Sequence, residues 1–599
     1  MRLAKLSIEN FRGVRSGNLL FPGSVVLVGD NNCGKSTILE AIDLVLGPER
    51  LARSPVVNEH DFYAGKYLDA GQNVIEIRIE AVVVDLNDEQ TRHFRNNIEW
   101  WDTSTSSLVE GPPEKTNEPN VTPAIRLGFK GMYDIDDDDF KGSTFFLSPQ
   151  NDDGSYQTFR TSDKRICGFL FLRTLRTGRR ALSLERGSLL DIILKLQERR
   201  LQMWEDILCQ LRTLPVAEKE ELGITSILST VQTSVANFVH SDWATSPHMK
   251  VSDLTRETLR RVVTVFMETG AKLDDGAMHA APFQQQGTGT INTLVLALLS
   301  QIAELKQNVI FAMEEPEIAI PPHTQKRIVD CIRQQSAQAL FTSHSPYVLE
   351  EFDPANVLVI QRDGGRLSAQ ATTLPPAVKM KTYRTELRTR FCEALLARRV
   401  LIVEGRTEYD AIRAASRRLH ELLPNEFRSL EALGIAVVDA QTDSQVAPLG
   451  EYFRKLGKHV YAIFDKQTPA NKAIIDNAVP NCYESPEKGF EDLLLNQCGE
   501  TVLRRWAKNL VDEADWPPHL AHLVPKESDA LSTLQEALLR YMQWGKGAAF
   551  GAELLSMCEI AEFPLFIFEA LRQINDLADP APESSKDNEP ELFNFFKGL

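Results

Sequence analysis

Long apolar runs and paired cysteines are both missing from this chain. No window in its 599 residues approaches the roughly 18 uncharged apolar residues of a membrane span. Residues 1–8 have the pattern of a strand rather than a signal peptide, so we expect a cytoplasmic protein. Eight cysteines without a Cys-x-x-Cys pair argue against a disulfide framework and a structural zinc site, and predict buried, reduced thiols. His519 and His522 form an isolated His-x-x-His pattern without further ligands nearby, and we interpret them as surface or packing residues.

An overall excess of positive charge is missing as well. The net charge is −17, and phosphate binding needs clustered Lys and Arg, so the total speaks against a nucleic-acid partner. Local clusters nevertheless exist, and each is either a phosphate-contacting surface or a solvated helix face. They comprise Arg173, Arg176, Arg179 and Arg180, and then Lys379, Lys381, Arg384, Arg388, Arg390, Arg398 and Arg399.

A phosphate-binding loop follows an apolar strand at residues 25–28. The sequence Gly-x-x-x-x-Gly-Lys-Ser occupies residues 29–36, and a helical pattern comes next. In this context backbone N–H groups wrap the β-phosphate, the lysine contacts the β- and γ-phosphates, and the serine hydroxyl ligates Mg²⁺. The pattern predicts an ATP site formed by Gly29, Asn32, Gly34, Lys35, Ser36 and Thr37.

Three later segments have the features of further parts of an ATPase site. A predicted buried strand ends in the paired carboxylates Glu314 and Glu315, and another is followed closely by His344. Gly287 and Gly289 precede an apolar helix, where a glycine-rich turn makes an anion site. The competing explanations are an acidic turn after a core strand and a packed histidine.

Carboxylates follow two predicted strands in the last third of the chain. Residues 400–403 form an apolar strand that ends at Glu404, and Gly405 permits a turn into a helix carrying Glu408. Asp465 ends a second apolar strand. Ligands of open α/β sheets gather at such strand ends, and oxygen ligands suit Mg²⁺ or Mn²⁺. We therefore predict a metal site there.

Residues 401–408 resemble the first motif of the TOPRIM fold, which topoisomerases, primases and a set of nucleases share. Because an ABC-type ATPase pattern precedes this motif, the chain resembles the OLD (overcoming lysogenization defect) family of ATP-dependent nucleases over most of its length. It is also similar to the nuclease subunit of Gabija-type defence systems. The resemblance implies an α/β fold: a split ABC-type ATPase with a helical dimerisation insert, followed by a parallel-sheet TOPRIM nuclease domain.

The likeness to ABC ATPases implies roles for the ATPase residues. Glu314 would hold Mg²⁺, Glu315 would polarise the attacking water, and His344 would sense the γ-phosphate. The loop with Gly287 and Gly289 lies where the ABC signature belongs, although it departs from the usual sequence. Since that loop meets the nucleotide of a second copy in ABC enzymes, a homodimer or higher homo-oligomer is expected.

The likeness to OLD nucleases implies the remaining site residues and one departure. Glu404, Glu408 and Asp465 would hold the metal, and Lys546 would be the catalytic lysine. TOPRIM proteins usually have Asp-x-Asp where this chain has Asp465-Lys466-Gln467, so Gln467 offers only a neutral oxygen and a second metal is in doubt. The acids that could compensate are Glu484, Glu487 and Glu491, of which Glu491 begins an apolar helix.

These inferences predict a domain order. The segments are 1–174 (ATPase, first part), 175–270 (helical dimerisation insert), 271–378 (ATPase, second part), 379–395 (basic linker), 396–578 (TOPRIM) and 579–599 (disordered tail). The expected function is an ATP-binding, metal-dependent DNA endonuclease in antiviral defence, with a helicase-like subunit as a further partner. The alternative is a DNA-repair or SMC-like ATPase whose degenerate TOPRIM fold serves only for docking.

Overall fold

The protein is described by a computed structural model over most of its length. The described residues are 1–48, 50, 55–109, 119–172, 183–185, 188–197, 200–213, 224–238, 255–287, 291, 294–295, 297–298, 301–302, 309–317, 321–374, 388–513, 515–545 and 549–579. Several predicted residues lie outside these ranges, namely Gly289, Lys546, the first arginine cluster, Lys379, Lys381, Arg384 and nearly all of the 579–599 tail.

The strands follow one another in the chain with these bounds. They are β1 (Arg2–Phe11), β2 (Val14–Leu20), β3 (Val25–Val28), β4 (Ile77–Val84), β5 (Ile98–Asp102), β6 (Ser107–Val109), β7 (Val121–Asp134), β8 (Asp139–Gln150), β9 (Tyr156–Thr158), β10 (Phe169–Leu172), β11 (Phe266–Lys272), β12 (Met278–Pro282), β13 (Ile310–Glu314), β14 (Gln338–Thr342), β15 (Val357–Asp363), β16 (Arg366–Ala371), β17 (Arg399–Val403), β18 (Ile435–Asp439), β19 (His459–Phe464) and β20 (Asn481–Glu484).

The α-helices have the following bounds. They are α1 (Lys35–Leu46), α2 (Asp88–His93), α3 (Thr161–Cys167), α4 (Leu189–Leu196), α5 (Arg200–Thr213), α6 (Ile224–Ala236), α7 (Arg256–Val262), α8 (Pro322–Gln335), α9 (Pro346–Leu349), α10 (Arg388–Leu396), α11 (Arg406–Leu422), α12 (Asp443–Lys455), α13 (Pro469–Ala478), α14 (Phe490–Gln497), α15 (Glu500–Asp512), α16 (Leu531–Trp544), α17 (Phe550–Ser556) and α18 (Leu565–Ala578).

The chain divides into two compact units, and both are mixed α/β, as predicted. The first unit comprises Met1–Arg12, Leu20–Ser24 and Ser36–Ser343, and the second comprises Gly13–Leu19, Val25–Lys35 and His344–Leu599. The domain borders expected from the sequence stay predictions. No helix in the described ranges has both the length and the apolar character needed to cross a membrane.

The first unit contains both parallel and antiparallel strand pairs. Strands β10, β13 and β14 run parallel, with Ile310 of β13 opposite Phe169 and Gln338. Strands β1, β4 and β7 pair antiparallel, and β7 also pairs with β5 and β8. Every residue of β14 is buried, as expected for a parallel strand covered on both faces. Within residues 175–270, the described parts contain α4 to α7.

The second unit contains two groups of strands. Strand β3 runs parallel to β15, which pairs antiparallel with β16, and β16 is parallel to β2. A separate parallel sheet has the order β18, β17, β19, β20. The predicted strand at 400–403 corresponds to β17, and the predicted strand before Asp465 corresponds to β19.

Helix α11 covers one face of this sheet. Its buried residues Tyr409, Ile412, Ala415 and Leu419 recur every three or four positions, which is the spacing of one helix face. They join a core with Leu401 and the apolar faces of α14, α15, α16 and α18. Because this packing fixes α11 against β17, the turn between them is held at the carboxyl edge of the sheet.

Candidate active site

The carboxyl edge of the β18–β17–β19–β20 sheet brings the predicted carboxylates together. Strand β17 ends at Val403, which lies opposite Ile463 of β19, so the residues that follow the two strands emerge side by side. The backbone N–H of Asp465 donates to Glu404 Oε2 over 3.0 Å. The two strand-end acids are therefore direct neighbours.

Glu408 reaches the same place from the first turn of α11. Gly405 is the N-cap of that helix, and a Cβ at Gly405 would lie only 2.9 Å from Glu408 Oε2. The carboxylate of Glu408 therefore folds back over Gly405. The backbone of Gly405 is extended, with a φ of −143°, so a larger residue here would only have to displace the Glu408 carboxylate.

The carboxyl group of Glu408 is buried, and those of Glu404 and Asp465 are half-buried. Burial, together with the charges of Asp465, Glu404 and Glu491, raises the pKa of Glu408 to about 7. Burial and then the charges of Glu404, Glu491 and Asp492 raise the pKa of Asp465 to about 7. The pKa of Glu404 is raised by burial, while the N–H of Asp465 opposes the shift. A bound cation would relieve this repulsion.

The candidates for additional ligands divide into two groups. Glu491 belongs to the carboxylate cluster, since its charge acts on both Glu408 and Asp465. Glu484 instead accepts from Lys472 Nζ at 2.6 Å and from the backbone N–H of Gln467 at 2.9 Å. Glu487 accepts from Asn496 Nδ2 at 3.2 Å. Spacing in the sequence could not separate these three acids, whereas their contacts do.

Gln467 lies within the cluster but acts as a donor. Its Nε2 donates to Glu404 Oε2 over 3.4 Å, the same oxygen that accepts from the Asp465 N–H. The side chain thus contributes a hydrogen bond where the usual TOPRIM pattern has a carboxylate. To offer its carbonyl oxygen to a metal instead, the amide would have to turn over.

Two acids near the edge were missed by the sequence analysis. Asp443 begins α12 directly after β18 and raises the pKa of Glu404, while Asp492 follows Glu491 and raises that of Asp465. The signal for Asp443 was available, because it lies at a strand-to-helix junction on the same edge as Glu404.

The donor set fits a hard divalent cation by its chemistry. Carboxylate oxygens are the ligands that Mg²⁺ and Mn²⁺ prefer, and burial together with neighbouring acids raises the pKa of Glu408 and of Asp465. Across the described ranges, however, no three His, Cys, Asp or Glu side chains converge into a complete metal site. Ligand side chains would therefore have to adjust to close around an ion.

The phosphate-binding loop has the backbone geometry that its sequence predicts. Gly29, Asn32 and Gly34 have φ values of +152°, +67° and +106°. A Cβ at Gly29 would lie 2.5 Å from the carbonyl oxygen of Ile360, so a larger residue does not fit. The Lys35 ammonium donates to the carbonyls of Gly29 and Asp30 at 2.8 and 2.9 Å, which curls the loop around it.

The first residues of α1 differ in exposure. Ser36 is exposed, so its hydroxyl is open to a ligand, whereas Thr37 is buried. The N-terminus of this helix presents free backbone N–H groups and the positive end of the helix dipole to an anion. The Ser36 hydroxyl is therefore accessible, and the ATP site expected from the sequence stays a prediction.

The paired acids of the first unit lie at the end of β13. Glu314 is opposite Thr342 in β14, and the N–H of Glu315 donates to the Thr342 carbonyl at 2.9 Å. Glu315 has a φ of +46°, a strained conformation for this residue type that is common at functional sites. Two other predicted ATPase residues are described. His344 comes two residues after the end of β14, and Gly287 is exposed.

Comparisons with known proteins match the segments that contain these candidate sites. Residues 1–148 match the AAA ATPase domain family, and residues 195–350 match a further AAA domain. Residues 395–466 match the TOPRIM domain of overcoming lysogenization defect protein-like proteins. The chain thus joins an AAA-type ATPase to an OLD-like TOPRIM domain. Its TOPRIM part is similar to that of the OLD family.

Individual relatives show the same likeness. The chain is 22% identical to the Old nuclease of Escherichia phage P2 over 71% of its own length and 72% of that protein. It is 23% identical to the OLD nuclease of Thermus scotoductus, over 67% and 71%. The solved C-terminal region of the Burkholderia pseudomallei OLD protein is 19% identical, with 31% of this chain and 99% of that one covered at a TM-score of 0.25.

Proposed function

We propose that this protein is an ATP-binding, metal-dependent DNA endonuclease. The observation that carries the proposal is the group of Glu404, Glu408 and Asp465 at the carboxyl edge of a parallel sheet, buried or half-buried and with the pKa of each carboxyl raised. A bound cation would favour the ionised forms that burial disfavours. The curated relatives, both named as nucleases, support the proposal.

Each carboxylate has a defined task in this proposal. Glu404, Glu408 and Asp465 would hold Mg²⁺ or Mn²⁺, with Glu491 close enough to join them. The bound cation would supply Lewis-acid stabilisation of the phosphate and lower the pKa of a water molecule. The Asp465 N–H fixes one oxygen of Glu404 and so orients the other. Lys546, which lies outside the described residues, is proposed as the cation beside the scissile phosphate.

The ATPase site is proposed to bind Mg²⁺ and ATP through the loop at 29–36. Lys35 would leave its two carbonyl partners for the β- and γ-phosphates, and the exposed Ser36 would ligate the ion. Glu314, Glu315, His344 and the loop with Gly287 and Gly289 complete this proposal. Homodimer formation, a helicase-like partner and a role in antiviral defence are further parts of it, drawn from family resemblance.

A plasmid-nicking assay tests the nuclease. Supercoiled DNA should be nicked or linearised with Mg²⁺ or Mn²⁺ and not with EDTA, and parallel reactions with and without ATP show its effect. Glu404→Ala should be inactive. Glu421→Ala is the control, because Glu421 is an exposed residue of the same helix as Glu408, paired with Arg418 at 3.2 Å. Nicking by Glu404→Ala at the wild-type rate would refute the metal assignment.

A DNA-repair or SMC-like ATPase with a docking TOPRIM domain is the second candidate. It is favoured by one observation, that Gln467 donates to Glu404 where a ligating acid is usual. The same assay separates the two functions. ATP hydrolysis and DNA binding without any cleavage in either metal would support the second.

A further inference from the structure

Trp544 is an exposed aromatic residue in the same unit as the carboxylate cluster. It is the last residue of α16 and is 52% exposed, although tryptophan is usually well covered in folded proteins. Its ring lies 5.6 Å from that of His519 and 6.0 Å from that of Tyr541, measured between centroids. His519 is itself exposed, whereas Tyr541 is fully buried. The two rings Trp544 and His519, here called the aromatic platform, thus rest on the core.

The platform is held rigidly from behind. Tyr541 stacks on Trp516 at 5.2 Å and 13°, and its hydroxyl donates to Asp515 at 2.7 Å. Phe550 packs on Tyr541 at 4.8 Å, and so the start of α17 is fixed to the end of α16. A side chain held in this way loses little conformational entropy when a ligand binds to its exposed face.

Helix α17 connects the support of the platform to the helices that carry two of the clustered acids. A Cβ at Gly551 in α17 would lie 3.1 Å from Ala411 Cβ and 3.4 Å from Phe490 Cε1. Ala411 is one turn from Glu408 in α11, and Phe490 precedes Glu491 in α14. The start of α17, whose Phe550 packs on Tyr541 beneath Trp544, therefore also packs on α11 and α14.

Charge indicates what kind of ligand the platform takes. The chain has a net charge of −17, and the neighbouring edge is acidic, so phosphate attraction alone is weak at this place. Stacking of a base on an aromatic ring does not depend on charge and contributes about 5- to 100-fold in affinity per base. It tolerates any base, because every base has a π-face.

We propose that Trp544, supported by His519, stacks an unpaired nucleobase of the nucleic-acid strand next to the scissile phosphate. The proposal rests on the proposed nuclease function and adds a positioning residue to it. Trp544 holds the strand and has no part in the chemistry. An exposed ring of this kind could also contact a protein, and the experiment distinguishes that outcome.

Binding of a labelled oligothymidylate in EDTA, followed by fluorescence anisotropy, tests the proposal with the full chain. Trp544→Ala should weaken binding about 5- to 100-fold, Trp544→Phe should stay within about 3-fold of wild type, and His519→Ala should fall between them. The same strand with abasic sites should bind wild type and Trp544→Ala equally. Because only uncharged surface is removed, the salt dependence should not change.

Leu577→Ala is the matched control. Leu577 is 53% exposed in α18, and the adjacent Ala578 carbonyl accepts from Arg399 at the start of β17, at the opposite edge of the sheet. This variant should bind and cleave like wild type. Unchanged circular dichroism and ATP turnover in Trp544→Ala would show that the fold is intact.

The possible results distinguish a failure of the stacking proposal from a failure of the proposed nuclease function. If wild type cleaves plasmid and Trp544→Ala binds the oligonucleotide as tightly as wild type, the inference is wrong and the nuclease stands. If Trp544→Ala instead loses self-association in light scattering with unchanged oligonucleotide affinity, the platform is a protein contact. If wild type neither binds nor cleaves, both proposals fail.

Discussion

Glu408→Gln should stabilise the metal-free protein at pH 8. Burial and the charges of Asp465, Glu404 and Glu491 raise the pKa of this carboxyl from 4.5 to about 7. Between these two pH values the folded protein keeps a proton that the unfolded chain has lost, so stability falls as the pH rises through that window. The difference is about 3 kcal/mol at pH 8 and less than about 1 kcal/mol at pH 5. Glutamine has nearly the same shape and removes the charge.

Thermal unfolding in EDTA at pH 5 and pH 8 measures this effect. The transition of the unit that contains Glu408 should rise by roughly 6 to 12 °C at pH 8 and little at pH 5. Glu484→Gln is the control with the opposite sign, because its hydrogen bond from Lys472 lowers the pKa of Glu484 and favours the ionised form. Mg²⁺ should stabilise wild type more than Glu408→Gln. An equal gain at both pH values would refute the electrostatic reasoning.

Three further variants test the two sites. Lys35→Ala should reduce phosphate release from ATP to background, and wild-type turnover would contradict the ATPase assignment. Glu404→Ala should lower nicking about 1000-fold or more, because several kcal/mol of transition-state stabilisation are lost. It should leave ATP turnover unchanged, because Glu404 lies in a different sheet from the strand that precedes the phosphate-binding loop. Gly29→Ala should weaken nucleotide binding and cost about 1–3 kcal/mol, because its Cβ would lie 2.5 Å from the Ile360 carbonyl oxygen. Normal melting and ATP affinity in that variant would show that the loop tolerates a side chain.

The sequence was sufficient where chemistry follows a buried strand. Glu404 and Asp465 could be placed together because apolar strands of a parallel sheet end at one edge. The sequence was insufficient where hydrogen bonds between side chains decide which residues can ligate a metal. Glu484 is taken out of the cluster by Lys472, and Gln467 becomes a donor to Glu404, and neither contact follows from spacing. Trp544 gave no signal at all, since its exposure depends on how Phe550 and Tyr541 pack.

The carboxylate edge explains how so acidic a chain could act on nucleic acid. Burial and neighbouring acids raise the pKa values of Glu404, Glu408 and Asp465. A phosphodiester approaching this edge without a cation meets like charge from the ionised carboxylates. Metal binding would reverse that local field, and it would therefore control substrate binding as well as chemistry. A charge-independent contact at Trp544 would then hold the strand while the ion and the phosphate come together.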